Sequence, residues 1–158
     1  MQTERNLVDY CLEYIFTCTW TVTEAILGPC PQGFRVNTYV TQGEVTGPKV
    51  QGTIRPGDGN WATLHSNGVI SVDYRLTFET HDGALIGAAC IGRVDVGEDA
   101  AEKSARGEAL PRFRALRWGI HCHTAHPSYL WLNRVHCLGI GQFDSQHDEL
   151  TVDVYMAL

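Results

Sequence analysis

The stretch "GNWATLHSNGVISVDYRLTFETHDGALIGAACIGRV", from Gly59 to Val94, decides how this chain folds. Its middle alternates with period two. Ser71, Asp73, Arg75, Thr77 and Glu79 share one face, and Ile70, Val72, Tyr74, Leu76 and Phe78 share the other. That is the rhythm of a β-strand, not of a helix. The alternation breaks at "SNG" and "HDG", where a glycine supplies positive φ and Asn or Asp closes a tight turn. With the preceding "GPKVQGTIRPGDGNW", the run reads as a β-meander.

The same rhythm extends in both directions. "LEYIFTCTWTV" and "RVNTYVTQGEV" precede the meander, joined by the turn-rich "GPCPQGF". "FRALRWGIHCHT", "LWLNRVHCLGIGQF" and "LTVDVYMAL" follow it, the last two separated by the turn "DSQHDE". Only "GEDAAEKSARGEA" carries good helix formers with an acidic start, which suits a short helix in a long connection. Eight to nine strands joined by sequential turns predict an all-β, closed or nearly closed antiparallel β-barrel, one domain over residues 1–158.

With 158 residues the chain is long enough to bury a core without covalent staples. Its net charge of −6 argues against nucleic acid or an anionic membrane surface as partner, since both reward basic surfaces. The beginning, "MQTERNLVDYCLEYIFTCTW", lacks a signal layout, and no apolar run reaches membrane-spanning length, so a cytoplasmic protein is expected. Six cysteines without CxxC spacing read as reduced core residues, not as disulfides or a zinc site.

Chemistry concentrates in "RWGIHCHTAHPSYLWLNR". His121 and His123 share a strand face with Arg117 and Gly119, opposite Leu116, Trp118, Ile120 and Cys122. A His-x-His pair sets two imidazoles roughly 7 Å apart along a strand, within reach of one metal. The remaining ligands of a cupin-like set are missing, so metal binding is the weakest of three readings. The others are a pair of exposed or satisfied histidines and an acid/base pair lining a pocket. Periodicity alone puts the polar face in water. A barrel holding a polar ligand would instead turn it inward.

Four runs, "GPKVQGTIRPGDGNW", "VDYRLTFETHDGALI", "PSYLWLNR" and "VDVYMAL", occur in the order found in the domain of unknown function 3237 family, which the chain resembles from about Leu12 to its last residue. The resemblance implies one antiparallel barrel of lipocalin-like or allene-oxide-cyclase-like type. It brings no settled reaction. The family's Gly-Asp-Trp turn falls only loosely on Gly59–Trp61, because the run here is Gly57, Asp58, Gly59, Asn60, Trp61. Its Asp-x-Arg pair falls on Asp73 and Arg75, and its Trp-Leu-Asn-Arg on Trp131–Arg134. Where members often carry a Phe-Glu-Thr-like triplet, this chain has Cys122, His123 and Thr124, an imidazole in place of a carboxylate. The Asp73/Arg75 match tips the reading towards an inward polar face.

The expectation is therefore a cofactor-independent isomerase, cyclase or dehydratase acting on a small aromatic or polyketide-like molecule, of the kind met in secondary-metabolite biosynthesis. His123 and His121 would move protons, Asp73 would support them, and Arg75 would hold an oxyanion. Asn133, Trp61, Arg117, Glu79 and Tyr155 would contact the substrate. No metal is assigned, and a homodimer is expected. The alternatives are a non-catalytic barrel carrying a small molecule and, less favoured, a cupin-like metal enzyme.

Overall fold

The computed structural model describes residues 9–158. Nine strands follow in chain order: β1 (Leu12–Cys30), β2 (Gly33–Thr46), β3 (Gly52–Ile54), β4 (Gly59–Leu64), β5 (Val69–Thr80), β6 (Leu85–Asp95), β7 (Phe113–His123), β8 (Cys137–Asp144) and β9 (Glu149–Ala157). Every pairing is antiparallel. The order runs β1, β9, β8, β7, β6, β5; β5 then pairs with β3 and β4, both pair with β2, and β2 returns to β1. The sheet is a closed barrel, as the sequential turns predict.

The long β1 bends at bulges between Thr21 and Val22 and between Ile26 and Gly28. Its pairing with β9 stops at Thr21, so from Val22 onward it pairs with β2 alone. The β1–β2 hairpin thus extends past the ring at one end and forms a wall there.

Burial settles which face looks inward. Val72, Tyr74, Leu76 and Phe78 of β5 are buried, as are Leu116, Trp118, Ile120 and Cys122 of β7 and Leu150, Val152, Val154 and Met156 of β9. The apolar face fills the barrel. The expectation of an inward polar face is corrected: Asp73, Arg75, Arg117 and His121 lie outside, where their charges keep their hydration, and the barrel closes around the complementary apolar set.

One end of the barrel is packed solid. Phe16 meets Phe78 edge to face with centroids 5.6 Å apart, among Ile15, Ile86 and Met156. Leu132 plugs this end from a 3₁₀ helix, Pro127–Arg134. This segment corrects the strand expected from Leu130: Pro127 suits a first helical turn, and the His126 ring accepts from the Ser128 N–H at 3.2 Å. The expected short helix is present as α1 (Ala100–Ala105), ended by positive φ at Gly107. The link expected at "GPC" instead belongs to β1, which reaches Cys30 before turning. Among the described residues no helix is long and apolar enough to cross a membrane.

Candidate functional site

The opposite end is hollow. A cavity of about 280 Å³ occupies the α1 half of the barrel, small for a ligand site but sized for one compact molecule. Its walls are the inward residues of the same strands: Val22, Ala62, Leu64, Val72, Leu116 and Phe143 among them. Ser104, Gly107, Glu108 and Leu110, from α1 and the connection after it, line it too, and their exposure marks this segment as the rim.

Aromatic rings separate the cavity from the solid half. Trp20 and Trp118 stack with centroids 6.2 Å apart, and Tyr74 meets them edge-on at 5.5 and 5.6 Å. Tyr74 and Trp118 line the cavity. Trp118 fits because β8 offers Gly139 opposite it: a Cβ there would lie 2.1 Å from the indole Nε1. The Nε1 atoms of Trp20 and Trp118 are buried without a hydrogen-bond partner.

Polar groups interrupt this apolar wall at few places. The Tyr74 hydroxyl is 3.1 Å from Thr38 Oγ1. Burial pushes the Tyr74 phenol up to about 12, against the lowering effect of Thr38, with a small further push from the Glu24 carboxylate. The phenol therefore stays protonated at neutral pH and can donate. Asn60 is buried, and its Oδ1 accepts the Asp73 N–H at 2.9 Å, which leaves the amide NH2 for the cavity. Glu24 and Arg114 line the cavity from β1 and β7. Arg114 is half-buried; its Nε donates to the Pro111 carbonyl at 3.2 Å, and its guanidinium lies 5.1 Å from the Phe143 ring centroid. Burial lowers its pKa, and the Glu24 charge partly reverses that. The two do not form an ion pair within 4.0 Å, and among the described residues Arg114 has no carboxylate partner at that range.

None of the nine residues given a catalytic or substrate-contacting role from sequence lines this cavity. Asp73 and Arg75 form an exposed ion pair at 2.8 Å on the outer face of β5, and Glu79 is exposed two positions beyond Thr77. His121 Nε2 lies 3.2 Å from His136 Nδ1, also outside. The His123 ring packs over Gly87, where a Cβ would meet its Nε2 at 2.7 Å. Asn133 clamps the 3₁₀ helix to β7: its Oδ1 accepts the Thr124 N–H and its Nδ2 donates to the Thr124 carbonyl, both at 2.9 Å. Arg117 donates to the Leu116 carbonyl at 2.6 Å, Tyr155 packs edge-on against Tyr14, and Trp61 stands exposed on β4. Thus the structure brings together Asp73 with Arg75, and His121 with His136. Among the described residues no three His, Cys, Asp or Glu side chains converge on a metal position.

Sequence reasoning misses Tyr74 and Asn60, and also Glu24 and Arg114, for which a signal exists. Each continues an inward apolar series by two positions, Glu24 after Cys18, Trp20 and Val22, and Arg114 before Leu116, Trp118 and Ile120. A charge at the end of such a series faces the barrel rim.

The fold and the hollow end define a class, the closed antiparallel β-barrel with an internal cavity. Within it, the chain belongs to the family described as "Protein of unknown function (DUF3237)", whose model matches residues 10–157. It is similar to the UPF0311 protein RPA1785 of Rhodopseudomonas palustris, 27% identical over 148 residues, covering 92% of this chain and 95% of that one. The crystal structure of RPA1785 superposes with a TM-score of 0.81 at 24% identity, over 96% of this chain and 99% of that one. A β-barrel-like protein of Acinetobacter baumannii gives 0.80 at 22% identity, covering 98% and 100%. An enzyme from Penicillium herquei shares the fold at a TM-score of 0.67 and 18% identity over the full length of both chains.

Proposed function

We propose that the barrel interior is the functional site and that the protein is a cofactor-independent acid/base catalyst, an isomerase or cyclase, for a small, flat, mostly apolar molecule. One observation carries this reading: an apolar cavity that ends on a protonated, buried phenol and an amide, with a carboxylate on its wall. The oxygen of a ketone seated on the floor would accept hydrogen bonds from Tyr74 Oη and Asn60 Nδ2. These donors strengthen as the oxygen gains charge, and they act in a site screened from water. The Glu24 carboxylate takes a proton from the carbon next to that carbonyl, and the enolate forms with its charge on the held oxygen. In a conjugated ketone, return of the proton from Glu24 to the γ carbon gives an isomer; alternatively the α carbon of the enolate attacks a second carbonyl of the same molecule, whose oxygen takes the proton from Glu24, and a ring forms.

A bicyclic aryl ketone, 1-tetralone, in D2O tests the reaction. Wild-type protein should speed exchange of the protons next to the carbonyl, followed by NMR. Glu24→Gln should return exchange to the buffer rate. Tyr74→Phe should slow it by roughly 10²-fold, the size of a lost oxyanion donor. Binding of the ketone with exchange no faster than in buffer would leave a carrier and end the catalytic reading.

The homodimer belongs to the same proposal. Ile91 and Leu138 are exposed on one outer row across β6 and β8, with Gly119 of β7 between them, and Ile140 adjoins this row. A second copy would cover that row. Sedimentation should show a dimer for wild type and a monomer for Leu138→Glu; a wild-type monomer at micromolar concentration removes this part.

A further inference from the structure

On the reading that the cavity is the functional site, we infer that Arg114 anchors an anionic oxygen group of the ligand, so that the substrate is a ring system bearing one carboxylate or equivalent anion, held at the rim with its apolar part inward. A guanidinium is costly to bury and in folded proteins normally keeps a carboxylate beside it. Arg106 and Arg112 do so, with Glu108 at 2.7 Å and Asp144 at 2.8 Å, although both are well exposed. Arg114 is the more buried, yet it has only the Pro111 carbonyl at 3.2 Å and the face of Phe143. No protein group takes its donors beyond Nε, and the residue lines the wall of an apolar cavity.

The neighbouring charges point the same way. Glu108 lies on the rim but is taken by Arg106. Glu24 is exposed to water and beyond ion-pair distance, so it leaves room at the guanidinium for a ligand group. A planar guanidinium presents parallel donors to a carboxylate, and against Phe143 it is already oriented. Nearby Glu24 would repel a second anion, which favours a ligand with a single negative group.

The test compares 2-naphthoate with its neutral methyl ester, read by quenching of the tryptophan emission. Wild type should bind the acid roughly tenfold more tightly than the ester, the value of one charge-assisted contact. Arg114→Gln should bring the two within about twofold of each other, chiefly through lost affinity for the acid, and Arg114→Lys should restore part of the preference. Leu110→Trp, at the rim, should weaken both probes. Equal binding of acid and ester to wild type overturns the anchor and leaves the cavity as a binding site. An acid preference that survives Arg114→Gln, or binding that ignores Leu110→Trp, places the anion elsewhere and also overturns it. Failure of both probes to bind at millimolar concentration overturns the cavity reading together with the anchor.

Discussion

Trp118 shows how single residues shape this site. Its indole occupies the barrel only because Gly139 has no side chain, and together with Trp20 it closes the cavity floor. Gly139→Ala should force the ring out of the stack. Overpacking of this kind costs about 1–3 kcal/mol, which a lower urea midpoint would report. The near-UV circular dichroism of the tryptophans should change as well, because a stacked pair of indoles contributes to it. Unchanged stability and spectrum would mean that the two rings are not held by this contact. Arg114 and Glu24 belong to the same scale: each is one charged side chain at the end of an otherwise apolar row.

Among the elements, the 3₁₀ helix closes the solid end by inserting Leu132. Leu132→Ala should cost about 2–5 kcal/mol, as burying a leucine in a site that cannot collapse predicts. A cost below about 1 kcal/mol would show the plug to be loose. At the other end, Arg112 holds Asp144 with two bonds of 2.8 and 3.0 Å, and His147 adds a third at 2.8 Å. Arg112 first, and then His147, hold the Asp144 carboxyl well below the usual carboxylate range. The folded state is therefore favoured by this group above its ordinary value near 3.8, and that stabilisation is lost as the pH falls through the depressed folded value. Asp144→Asn should be less stable than wild type at pH 7, with the gap narrowing in acid below about pH 4. A gap independent of pH would assign the loss to packing instead.

The elements also show what could be read from the chain. Strands declare themselves through alternation and through turns such as "SNG" and "HDG", because one face of most strands is apolar but for a single residue. The inward sense was harder. Period two separates the faces of β5 but is silent on which one the barrel encloses, and the conspicuous charges of Asp73 and Arg75 drew attention to the outer one. "LWLN" has the bulky apolar residues of a buried strand, yet Pro127 and the capping His126 start a 3₁₀ turn there. The site escapes such a reading because its polar groups are single members of five different strands, brought together only by closure.

For the molecule as a whole, burial divides the thiols. Cys18, Cys90, Cys122 and Cys137 are buried, Cys30 is partly covered and Cys11 is exposed, all of them free. Burial pushes the Cys122 thiol up to about 12 and Cys137 to about 11, so neither ionises near neutral pH. A thiol reagent at pH 8 should label Cys11 at once and Cys30 more slowly, and should reach the other four only on unfolding. Rapid labelling of all six in native buffer would contradict the closed barrel.

Ring closure has a further consequence, for the birth of the protein. The strand that seals the barrel, β9, pairs with β1 from Leu12↔Ala157 to Thr21↔Glu149, so the first strand must wait for the last. While the chain emerges from the ribosome, β1 on one side and the newest strand on the other expose unpaired backbone. That interval ends only when β9 is free to dock. The most hazardous moment for this protein is therefore its own translation, when open edges invite neighbouring nascent chains, and the finished ring retires the hazard.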